Sequence, residues 1–63
     1  MLKREAENLL QHWIEHNESH IKSFMERAEQ IQEISILAAQ DLRDAAEMMN
    51  KCTEILKRAK RDL

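Results

Sequence analysis

Neither glycine nor proline occurs anywhere in the 63 residues. Hairpin turns and the short loops between strands and helices depend on those two residues, so sheet-containing folds are excluded almost at once. What remains is a chain of long helices. The rest of the composition agrees: 35% of residues are charged and 43% fall in the hydrophobic set. Two such classes without breakers are the mark of amphipathic helices. The fold class is therefore all-α, in one domain.

A chain this short is marginal alone. A domain near sixty residues buries only about 60% of its unfolded surface and usually needs a staple, a metal or a partner. A disulfide is excluded, because Cys52 is the single cysteine. A free thiol together with four methionines fits a reducing compartment, which predicts a cytoplasmic protein. The N-terminus Met1-Leu2-Lys3-Arg4-Glu5 has no apolar signal segment, and no apolar run approaches the roughly 18 residues of a membrane span. No membrane partner is expected.

The net charge of -2 gives no general attraction to nucleic acid. It is unevenly placed. Residues 1–33 carry four Lys/Arg against seven Glu, and residues 34–63 carry six Lys/Arg against five Asp/Glu. The basic run Lys57-Arg58-Ala59-Lys60-Arg61 reads first as a helix C-terminus complementing its dipole. A phosphate-contacting patch is the alternative.

Along the first half, Leu10, Ile14, Asn17, Ile21, Phe24, Ala28 and Ile31 step by four and three, a heptad seam with one amide in it. Leu2, Ala6, Leu9 and Trp13 widen one shoulder and Met25 the other. Along the second half the same spacing runs through Ala38, Leu42, Ala45, Met49, Cys52, Leu56, Ala59 and Leu63. Small and large residues alternate there, which suits close knobs-into-holes packing. This predicts that Ala38, Ala45, Cys52 and Ala59 face the first helix.

Ser35 is a natural N-cap, so the chain is expected to break there. The predicted architecture is a two-helix antiparallel hairpin with helix 1 over 3–32, a turn over 33–36 and helix 2 over 37–61. One unbroken helix, roughly 90 Å long, is the alternative. A lone hairpin leaves Leu9, Trp13, Met25, Met48 and Ile55 in water, so dimerisation into a four-helix bundle is expected. Trp13, Asn17 and Met49 are the interface candidates. A buried amide such as Asn17 fixes register at a cost in stability, and its other reading is a partner that orients a neighbouring histidine.

All three histidines lie in one line, His12, His16 and His20, one turn apart on one helix face. Imidazoles so spaced can chelate Zn, Ni, Co or Cu. With the turn at 34–35, residue i lies opposite residue 69 minus i, which sets Cys52 level with Asn17. The expected metal ligands are therefore His16 and His20, with His12 or Cys52. The plainer readings are a polar shoulder of histidines and a Cys52 that packs as a small apolar residue.

His12-Trp13-Ile14-Glu15-His16 also matches the H-x-x-E-H pattern of some zinc peptidases. Those enzymes are large, and no second domain is present to form a cleft, so no enzyme is expected.

The run His12-Trp13-Ile14-Glu15-His16-Asn17, followed by His20 and Phe24, resembles a small helical domain of unknown function found in archaea and anaerobic bacteria. Its motif reads H-W-I-E-H-N-x-x-H-x-x-x-F, and members tend to place a glycine at the turn, where this chain has Ser35. The resemblance implies that His16, Asn17 and His20 belong to one motif. It implies no activity. The reading is a small cytosolic binding protein for a divalent transition metal. The alternative is a structural module that pairs with itself or with another protein.

Overall fold

The computed structural model describes all residues, Met1–Leu63. It contains two helices and no strand: α1 spans Lys3–Ile31 and α2 spans Ile36–Arg61. They pack against each other as an antiparallel hairpin measuring 48 × 14 × 13 Å. That length excludes the unbroken helix.

The turn works without glycine. The Ile31 carbonyl accepts from both Ile34 N and Ser35 N at 2.8 Å, and Gln32 keeps a right-handed helical conformation. No residue has positive φ, so nothing here demands a missing Cβ. Ser35 is extended, and its Oγ accepts from Ala38 N at 3.0 Å, capping α2 as the sequence predicts. At the other end of α2, Arg58, Lys60 and Arg61 occupy the last turn, where cations complement the dipole.

The seam of α1 is the predicted one. Ile14 and Ala28 are buried, and Leu10, Asn17, Ile21, Phe24 and Ile31 are half-buried. The register is also as predicted, with Asn17 Nδ2 3.8 Å from Cys52 Sγ.

The seam of α2 differs by one residue in its small column. Ala39, Ala46 and Thr53 are buried against α1, and Leu42, Met49 and Leu56 are half-buried beside them. Ala38, Ala45 and Cys52 are exposed. The helix is thus turned about half of one 100° residue step from the expected phase. Two neighbouring columns of small residues compete for the seam. The winning one ends in Thr53 and Lys60, which look polar in the sequence. Each is accommodated in the fold. Thr53 is 1% exposed and donates its hydroxyl to the Met49 carbonyl at 2.8 Å, so its polar atom is satisfied within its own helix. Lys60 runs its stem along the seam and donates to Gln11 Oε1 at 2.7 Å.

Candidate functional site

The two long edges of the hairpin are chemically opposite. One is closed by polar contacts between the helices. Lys60 meets Gln11, Lys57 Nζ lies 3.5 Å from Glu18 Oε2, and Arg43 Nη2 donates to Gln32 Oε1 at 2.6 Å. A shallow groove on this edge is lined by Gln11, Ile14, Glu18, Lys57, Lys60 and Arg61. Lys57 lies a further 3.6 Å from Glu54. The basic run therefore spends Lys57 and Lys60 on the chain's own groups. Exposed pairs of this kind contribute little stability, but they mark the edge as solvent-facing.

The other edge is crossed by the Asn17–Cys52 contact. On α1 it presents Leu9, Trp13 and the histidine line. On α2 it presents Ala38, Ala45, Met48, Cys52 and Ile55, all exposed. Trp13 is 45% exposed, Met48 64% and Ile55 54%. Trp13 is thus no core residue of the single chain, while Met49 is half-buried between the two helices. Met25 lies on the opposite shoulder of α1 and is also exposed.

The histidines stand at the border of this apolar edge. His16 and His20 are drawn together, with their Nε2 atoms 2.8 Å apart and ring centroids 4.5 Å apart. The two rings are joined by one hydrogen bond, in which one Nε2 donates and the other accepts according to the tautomer. Phe24 continues the column, 5.7 Å from the His20 ring. His12 stands off, its ring centroid 6.3 Å from His16. Cys52 is held by the Asn17 amide. Of the four predicted ligands, the structure brings together two. No group of three or more His, Cys, Asp or Glu side chains is placed to hold an ion within one chain. Glu15 of the H-x-x-E-H pattern accepts from Gln11 Nε2 at 3.0 Å, about 140° around the helix from His20.

The pairing could be read from the four-residue spacing. Leu9, Trp13, Met48 and Ile55 are exposed as the sequence predicts, whereas the presence of Ala38, Ala45 and Cys52 on the same edge depends on the phase of α2.

Comparison with known proteins places this hairpin in a family. The model of a domain of unknown function, DUF8180, matches residues 6–63. The chain belongs to that family. An uncharacterized protein of the archaeon Archaeoglobus fulgidus is 40% identical over 52 residues, which is 82% of this chain and 84% of that protein. No solved structure matches the chain. The expectation of a small domain of unknown function with an archaeal member is met. No helix is long and apolar enough to cross a membrane.

Proposed function

We propose that this DUF8180 chain is a transition-metal-binding protein that works as a homodimer, with His16 and His20 as its metal donors. One observation supports the donors above all: two Nε2 atoms 2.8 Å apart at the rim of an apolar edge. An ion held by both nitrogens would take the place of the hydrogen bond between the rings, and the affinity of nitrogen-donor sites rises through Co and Ni to Cu(II).

The dimer is supported by surface area. The 7.5 kDa chain exposes 5022 Å². A compact monomer of that mass exposes about 4250 Å² by the usual scaling, the rod of 48 × 14 × 13 Å exposes more, and pairing along one edge would cover part of that surface. The apolar edge is the surface to cover, and two hairpins meeting along it make a four-helix bundle. A second reading is a structural pairing module without a ligand. It is favoured by the lack of a third donor within one chain.

Equilibrium dialysis against Ni(II) or Cu(II) tests the donors. His16→Ala and His20→Ala are each expected to weaken binding at least about tenfold while the helical circular dichroism is unchanged. Binding that survives both changes overturns the assignment and leaves the pairing module.

A further inference from the structure

Two imidazoles leave a transition-metal ion half-coordinated, since protein sites for such ions supply three or four donors. The chain offers no third donor beside the pair. We infer that the missing donors come from a second copy, so that His16 and His20 of both chains close on one ion at the two-fold axis of an antiparallel dimer. This rests on the metal-binding reading above and adds how the site is completed.

The position of the pair carries the inference. The middle residue of α1, Lys3–Ile31, is Asn17. His16 and His20 lie within about one turn of it. Two rods 48 Å long overlap most when their centres coincide. A two-fold axis across the helices then passes the middle of α1, and α1 runs antiparallel to its copy. Residue i comes level with residue 34 minus i. His16 is then level with residue 18 of the copy and His20 with residue 14. All four imidazoles fall within about a turn of the axis, on facing edges of the two α1 helices.

Charge and apolar surface favour the same arrangement. Glu5 and Arg27 lie on this edge of α1 near opposite ends, and both are exposed. The register sets Glu5 level with residue 29, about 3 Å along the axis from Arg27 of the copy. Two such pairs form, one on each side of the axis. At the ends, the exposed Leu37 of one chain comes level with the exposed Leu2 of the other. The alternative bundle, with both turns at the same end, places the two α1 helices on a diagonal. Their histidine pairs then stand at opposite edges and cannot share an ion.

The test is a calorimetric titration of the metal-free full chain with Ni(II) alone, alongside sedimentation equilibrium with and without the ion. The inference predicts saturation at one ion per two chains. It also predicts a dimer dissociation constant that falls at least about tenfold when the site is filled, because the ion binds only the assembled form. The double variant His16→Ala, His20→Ala is expected to dimerise as the ion-free protein does and to lose both effects. Saturation at one ion per chain, with the dimer constant unmoved, overturns the shared site but keeps the metal-binding reading. Absence of binding by Ni(II), and by Cu(II) in the same titration, overturns both.

Discussion

A single hydroxyl starts the second helix. The Ser35 Oγ receives Ala38 N at 3.0 Å, while α1 begins at Leu2 with no side-chain cap. Replacing Ser35 by Ala should cost about 1 kcal/mol. For a domain of this size that lowers Tm by roughly 4–8 °C at fixed chain concentration, measured by thermal circular dichroism. An unchanged melting curve would show that the turn is held by the Ile31 carbonyl alone. The same scale explains why Cys52 is exposed where the sequence predicts that it faces the first helix. Cys52 and Thr53 are neighbours of similar size, and the thiol is the more apolar of the two. The fold buries the threonine, because its hydroxyl reaches the Met49 carbonyl and leaves no polar atom unsatisfied. The pairing of His16 with His20 was legible, since it needs only helical spacing. The separation of Cys52 from that pair depends on how α2 is rotated, which no local pattern records.

At the scale of the helix, the phase of α2 decides which surface the hairpin keeps for itself. Ala46 is 3% exposed, whereas Ala45 faces the apolar edge. Ala46→Leu therefore forces three extra carbons into a close helix contact and should destabilise the protein by about 1–3 kcal/mol. Ala45→Leu leaves the contact between α1 and α2 intact. Urea denaturation of the two variants at equal concentration checks this, and a larger loss for Ala45→Leu than for Ala46→Leu would return α2 to the phase first read from the sequence. The α1 seam and the register were readable because Leu10, Ile14, Ile21 and Ile31 leave only one apolar stripe to choose. The α2 stripe was ambiguous because Ala38 and Ala39, and Ala45 and Ala46, are adjacent pairs of equal size. Glycine was not needed at the turn, where three consecutive residues continue with negative φ.

For the whole molecule, the governing fact is how little a single hairpin buries: five of 63 residues. The proposed dimer covers the edge that carries Trp13, and the same edge holds the histidine pair. A large aromatic near the centre of an interface commonly supplies about 2 kcal/mol or more. Trp13→Ala should accordingly raise the dimer dissociation constant roughly 30-fold or more, read by sedimentation equilibrium. The most direct test of the account is a native mass spectrum of the protein purified at neutral pH without chelators. The account predicts a species of twice the 7.5 kDa chain mass that carries a bound copper or nickel ion. An ion-free single chain, unchanged after incubation with either metal, would contradict it.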